Sequence, residues 1–302
     1  MSTPAPGSSP TKRPPSSSND FIERRLDECV KELEQSFAAD VLTFSGPIMY
    51  GVDDLIRNAV ESRATGCKKA VVILTTEGGY IEVVHRIVDT LRTRYEVVEF
   101  VIPNYAYSAG TVLAMSGDAI HMDYYSRLGP IDPQVETPEG KMVPALGYLE
   151  QYNRLIGKAE GGTITPAEVQ LLINGFDQAE LYKFEQAKEL SITLLKEWLC
   201  KYKFKNWTVT KTRKASVTQL MKEQRAADIA ERLNDTAKWH SHGYGISKDV
   251  IDKDLNLLID DFGKDPRLSE KIRYYHDLLS DYMARRENLG VIHVDGSYAP
   301  FM

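Results

Sequence analysis

The sequence predicts an α/β protein, a spiral of parallel strands joined by crossover helices and followed by a helical remainder. Three observations carry that prediction. Between Lys69 and Asp123, short apolar runs alternate with stretches of helical period, in the order strand, helix, strand, helix, strand. Both strand-to-helix junctions are marked by small residues, Gly78-Gly79 at the first and Ser108-Ala109-Gly110 at the second. After Asp123 the alternation stops and long helical periods take over. A strand–helix–strand opening before Lys69, with right-handed crossovers, stacks the units into a spiral parallel sheet.

The elements follow in order. Residues 1–19 are rich in Pro, Ser and Thr with almost no apolar content, and are expected to form a disordered tail. Asp20 to Phe37 is an amphipathic helix with Ile22, Leu26, Val30 and Leu33 on one stripe. Asp40 to Ser45 is the first core strand, and Asp53 to Arg63 a helix with Leu55, Ile56 and Val60 inward. Ala70 to Leu74 has the β-branched apolar character of a strand buried on both faces. Ile81, Val84, Ile87, Val88 and Leu91 mark the next helix, Val97 to Ile102 the next strand, Thr111 to Met115 a helix, and Ala119 to Met122 a strand. Helices are expected at Tyr148 to Ile156, Pro166 to Ile173, Ala179 to Tyr202, Thr218 to Leu233, Leu255 to Ile259 and Leu268 to Glu287. Val291 to Met302 carries no recognisable signal. The division that results is a tail over 1–19, a core over 20–135, and a helical remainder of the same domain over 136–302.

The two junctions suit acyl-transfer chemistry. A Gly-Gly turn has little bulk, so its N–H groups can face a cavity and donate to a developing oxyanion. A serine between small residues, after a strand and before a helix, presents its hydroxyl beside the unsatisfied N–H groups of a helix start. Each feature alone has a plainer meaning, a simple turn or a helix N-cap. On successive crossovers of one parallel sheet they lie together at the carboxyl ends of the strands, where open α/β sheets place ligands.

These residues resemble the ClpP/crotonase superfamily, and within it most nearly the serine dehydrogenase proteinase family, related to ClpP and to signal peptide peptidases. The matching pieces are Thr75-Thr76-Glu77-Gly78-Gly79, Ala106-Tyr107-Ser108-Ala109-Gly110, Ala119-Ile120-His121-Met122 and Ser126-Arg127-Leu128-Gly129-Pro130-Ile131-Asp132-Pro133-Gln134. The likeness covers roughly Asp40 to Gln134, with a weaker match at His242-Gly243-Tyr244-Gly245-Ile246. It implies a ClpP/crotonase-like spiral of β-β-α units with a helical C-terminal extension. It also implies a serine peptidase with Ser108 as nucleophile and the N–H groups of Gly79 and Ala109 as oxyanion hole. No histidine occurs between Asp123 and Trp239, so a triad in ClpP order is unavailable. The serine dehydrogenase proteinase order, Ser–Asp–His, assigns Asp132 as the acid and His242 as the base, with Gly243 and Gly245 standing where the family has Asp and Pro. Imidazole takes the serine proton near neutral pH, and a carboxylate holds its tautomer. Asp132 between prolines also reads as a turn brace, and His242 as a surface histidine. His240 is a competing base, while His85, His121, His276 and His293 read as structural or exposed.

Composition narrows the remaining classes. The net charge of −6 suggests no nucleic-acid or anionic-membrane surface. Cys29, Cys67 and Cys200 fit neither a disulfide framework nor a metal spacing and point to a reducing compartment, the cytoplasm. No apolar run is long enough to span a bilayer, and no signal-peptide core stands at the N-terminus. There is no glycine-rich nucleotide motif, so no cofactor is expected. The expected partners are a peptide or protein substrate and further copies of the chain in a homo-oligomer. The competing readings are a Ser–Lys dyad of the signal peptide peptidase type with Lys158 or Lys141 as base, a crotonase-type acyl-CoA enzyme, and a catalytically silent scaffold. Tyr80, Tyr105 and Tyr107 read either as an aromatic-lined cleft or as packing.

Overall fold

Successive side chains of a strand point to opposite faces, so a strand covered on both faces needs apolar residues at odd and even positions alike. The protein is described by a computed structural model covering residues 17–63, 66–131, 134–136, 142–239 and 243–302. A capping box between Ser17 and Asp20 starts α1 (Ser18–Phe37). The core alternation follows as β1 (Asp40–Ser45), α2 (Val52–Glu61), β2 (Lys69–Thr75), α3 (Ile81–Arg94), β3 (Val97–Val101), β4 (Tyr105–Ala106), α4 (Ala109–Met115) and β5 (Ala119–Met122). Next come β6 (Arg127–Leu128), β7 (Gln134–Glu136), β8 (Met142–Pro144), α5 (Ala145–Glu160), α6 (Pro166–Gly175), α7 (Gln178–Trp198) and α8 (Gln219–Leu233). The chain ends with α9 (Thr236–Trp239), β9 (Ile246–Ser247), α10 (Lys248–Lys253), β10 (Asp260–Asp261), α11 (Pro266–Arg285), β11 (Gly290–Val294) and β12 (Ser297–Phe301).

The main sheet has the order β10–β5–β3–β2–β1–β11–β12, parallel from β10 to β1 and antiparallel at β11 and β12. Its two faces are covered by different helices. Val41, Val71, Ile73 and Val101 meet Leu26, Leu33, Ile272, Tyr275 and Leu279 of α1 and α11. Leu42, Phe44, Val72, Leu74, Phe100 and Ile120 meet the helices on the other side, among them α2, α3, α4 and α8. Helices α5 and α7 form a hairpin with a small core of its own around Leu149, Leu181 and Phe184. The architecture is the α/β spiral the sequence predicts.

Three expectations change. Residues 1–16 lie outside the described residues, and the end of the predicted tail, Ser18 and Asn19, is already helical. Leu255 to Ile259 is not a helix: Asn256 takes a positive φ of 45°, which breaks the helical path, and the chain runs extended into β10 beside β5. The stretch from Val291, unread in the sequence, belongs to a β-hairpin that widens the sheet, with Ser45, Phe44 and Thr43 paired to Val291, Ile292 and His293. The part after residue 136 is therefore not helical throughout.

A buried polar chain fixes α1 and α11 to the sheet. Thr43 Oγ1 lies 2.7 Å from Tyr275 Oη, which lies 2.7 Å from His293 Nδ1. The other ring nitrogen of His293 lies 3.3 Å from Asp27 on α1. His293 is thus structural, as expected. His121 pairs with Glu99 across β5 and β3 at 2.9 Å and is also structural. His85 is half exposed on α3 beside Asp89.

Candidate active site

The carboxyl end of β2 continues as Thr76, bridged to Ala106 of β4. Thr76 N–H donates to the Tyr105 carbonyl at 3.1 Å, and Tyr107 N–H donates to the Thr76 carbonyl at 2.9 Å. These bonds bring the two small-residue junctions side by side. Gly78 has φ +102°, and a Cβ built there would stand 2.8 Å from Ser108 Cβ and 2.8 Å from the Tyr107 oxygen. Only a glycine lets the second junction come this close. Gly79 has φ +146°, and its Cβ would fall 2.0 Å from the Ile48 carbonyl oxygen.

Backbone pairing at Gly79 decides which groups are spent. Ile48 N–H donates to the Gly78 carbonyl at 2.8 Å, and Tyr80 N–H donates to the Ile48 carbonyl at 2.9 Å. A parallel bridge of this pattern turns the N–H of the bridged residue to the opposite edge. The Gly79 N–H therefore faces away from Ile48. Gly78 N–H is occupied by Thr76 Oγ1 at 3.0 Å. The N–H of Ala109, at the first position of α4, precedes the intrahelical bonds.

Ser108 is buried and strained. Its φ and ψ are 51° and −121°, a left-handed conformation rare outside glycine. A Gly110 N–H bond to the Tyr107 carbonyl, 2.8 Å, closes the turn around it. These angles belong to the first central position of a type II′ turn, normally a glycine position. Its side chain makes no helix-capping bond, so the plain N-cap reading does not hold. A strained serine on a sharp strand-to-helix turn is the local form of a nucleophile elbow.

Thr111 braces the elbow from behind, a role the sequence did not reveal because it joins distant segments. Its hydroxyl lies 2.8 Å from the Ala106 carbonyl and 3.0 Å from the Gly129 carbonyl, and accepts Gly129 N–H at 2.9 Å. Aromatic pairs flank both junctions: Tyr105 stacks on Tyr107 at 5.0 Å, and Tyr50 packs on Tyr80 at 4.7 Å.

Asp132, His240, His242 and Lys141 lie outside the described residues. Their flanks are described. β6, four residues before Asp132, is parallel to β4, two residues before Ser108. β9, four residues after His242, is antiparallel to β6, with Ile246 opposite Leu128. Ile131 N–H donates to the Leu233 carbonyl at the end of α8 at 3.1 Å, and the Trp239 indole donates to the Arg232 carbonyl at 2.8 Å. Lys158 lies on the α5–α7 hairpin, half exposed and ion-paired with Glu168. That setting is the opposite of the desolvated one a lysine base requires. Among the described residues no cluster of three or more His, Cys, Asp or Glu is placed to hold a metal. No described helix is long and apolar enough to cross a membrane.

Residues 52–206 match the model of the ClpP-like SDH-type serine proteinases, and this span includes both small-residue junctions. The chain belongs to this family. Two relatives of the SDH-type chain are uncharacterized proteins of Methanocaldococcus jannaschii. MJ0137 is 32% identical over 128 residues, 40% of this chain and 43% of that protein. MJ1495 is 29% identical over 181 residues, 56% of this chain and 59% of that protein. The chain thus spans about half the length of the curated relatives it matches. Similar solved structures include a 1510-N membrane-bound stomatin-specific protease, with TM-score 0.44, 13% identity and coverage of 76% of this chain and 82% of the other. ClpP1 from Listeria monocytogenes has TM-score 0.41, 11% identity and coverage of 80% and 95%.

Proposed function

We propose that the protein is a serine peptidase that cleaves peptide bonds through an acyl-enzyme on Ser108. In this reading the N–H groups of Gly79 and Ala109 receive the oxyanion, His242 accepts and returns the proton, and Asp132 orients the imidazole. One observation carries it: β4, β6 and β9 form a single sheet whose directions bring three chain segments to one end. The chain leaves β4 towards Ser108 and leaves β6 towards Asp132 at that end. It enters the antiparallel β9 from His242 at the same end. Neighbouring strands are about 4.8 Å apart, and β6 neighbours both β4 and β9. The turn at Ser108 and the outward N–H of Gly79 support the same assignment.

A fluorophosphonate probe tests it directly. Labelling is expected on Ser108 and lost in Ser108→Ala. His242→Ala and Asp132→Asn are expected to lower peptide hydrolysis by about 10⁴-fold or more. Full activity in His242→Ala would exclude the triad. Absence of labelling in a folded protein that still binds acyl-CoA would favour the crotonase chemistry. The homo-oligomer part of the reading is supported by apolar residues exposed on α6 and α7, namely Leu171, Ile173 and Tyr182.

A further inference from the structure

A cavity of about 490 Å³ opens at the carboxyl ends of β1 and β2, between the loops that follow the strands and helix α11. It begins where the first junction begins: Thr75, Thr76 and Glu77 line it at and just beyond the end of β2, Asn104 and Tyr105 from the approach to β4, and His276 and Ser280 from α11. Alternation along the chain explains the sidedness. Thr76 and Ala106 point to the buried α4 side, so Thr75, Glu77 and Tyr105 point the other way.

Apart from the buried Thr76, the side chains of these residues are half-buried or exposed and line the cavity together. Convergent donors and acceptors in a concave site are what a ligand-binding pocket presents. The charge is one-sided. Among the described residues that line the cavity, Glu77 is the only carboxylate, and there is no lysine or arginine. Burial pushes the His276 imidazole below its ordinary value, which keeps it neutral near pH 7. The nearby Arg273 is occupied by Asp123 and by the Pro103 carbonyl. Met283 and Leu289 add an apolar wall suited to an alkyl stem.

We infer that this cavity is a subsite for a basic side chain of the peptide substrate, with Glu77 receiving the cation and the surrounding hydroxyl and amide oxygens its remaining protons. The inference rests on the peptidase reading for its substrate class, and it reaches further by assigning a charge preference. In the chain, Glu77 stands two residues before Gly79 and Tyr105 three before Ser108, so the cavity is lined by the residues that lead into both junctions.

The test uses the full chain carrying Ser108→Ala and capped tripeptides Ala-Lys-Ala, Ala-norleucine-Ala and Ala-Glu-Ala, followed by NMR. The lysine peptide is expected to shift resonances of Thr75, Glu77 and Ser280 and to bind about tenfold or more tightly than the norleucine peptide. Glu77→Gln is expected to erase that difference. Ser280→Phe, at an exposed position of α11, should fill the cavity and erase it too while fluorophosphonate labelling of the Ser108 form persists. Equal binding of lysine and norleucine, preference for glutamate, or shifts confined to other regions would overturn the subsite. Labelling retained without lysine preference defeats the subsite alone; lysine preference without labelling defeats the nucleophile alone.

Discussion

Gly79→Ala separates two costs that usually act together. The φ of +146° penalises any side chain, and the new Cβ would also stand 2.0 Å from the Ile48 carbonyl oxygen, so the backbone must move apart. That movement breaks the Ile48–Gly78 and Tyr80–Ile48 hydrogen bonds. The dihedral strain is worth about 1–3 kcal/mol. The two bonds add about 1–3 kcal/mol together. The expected loss is about 2–6 kcal/mol. Gly51 provides the control, because it has φ +93° with nothing within 4 Å of an added Cβ. Gly51→Ala should cost only the dihedral part, about 1–3 kcal/mol. Urea denaturation of both variants measures the gap. Equal losses would refute the claim that contact with Ile48 holds this turn, and with it the account of why the Gly79 N–H is aimed away from the strand.

Three further outcomes are expected. Tyr275→Phe removes the hydroxyl between Thr43 and His293, leaving two buried groups unsatisfied, and should cost about 2–5 kcal/mol by denaturation. Burial pushes the Asp123 carboxyl up, but bonds from Arg273, the Tyr125 N–H and the Ser126 hydroxyl outweigh it and hold the group below its usual value. A carboxyl lowered on folding stabilises above its unfolded value, near pH 4, and that contribution is lost as pH falls through the folded value. Arg273→Met should therefore cost about 3 kcal/mol at pH 7 and much less at pH 3, read from urea midpoints at both. Replacing Leu171 and Ile173 by Asp on α6 should shift the sedimentation of the protein to a smaller species without loss of folding, because neither side chain enters the core.

Much of the fold was legible because its signals are local. The stripe of Leu26, Val30 and Leu33 became the buried face of α1, and the apolar run from Ala70 to Leu74 became a strand covered on both sides. The two junctions were legible for the same reason, since glycine and a serine among small residues mark sharp turns wherever they occur. Residues that depend on distant partners were not. Val291 to Val294 is an ordinary apolar tetrapeptide until β1 offers it an edge. His276 was read with the structural or exposed histidines, and only the approach of α11 to the ends of β1 and β2 makes it a cavity wall.

The sequence by itself determined the order of strands and helices, the places where the chain turns, and which residues at those turns are proposed as nucleophile and oxyanion donors. Helical and strand periods, and the conformational freedom of glycine, act within a few residues and survive without a partner. Only the tertiary structure decided that Gly78 lies against Ser108, that the serine is strained and not a cap, and that β4, β6 and β9 share one sheet. Those features depend on hydrogen bonds and contacts between segments up to about 120 residues apart, as from Leu128 to Ile246, and pairings of that range are settled by the packing of the whole core.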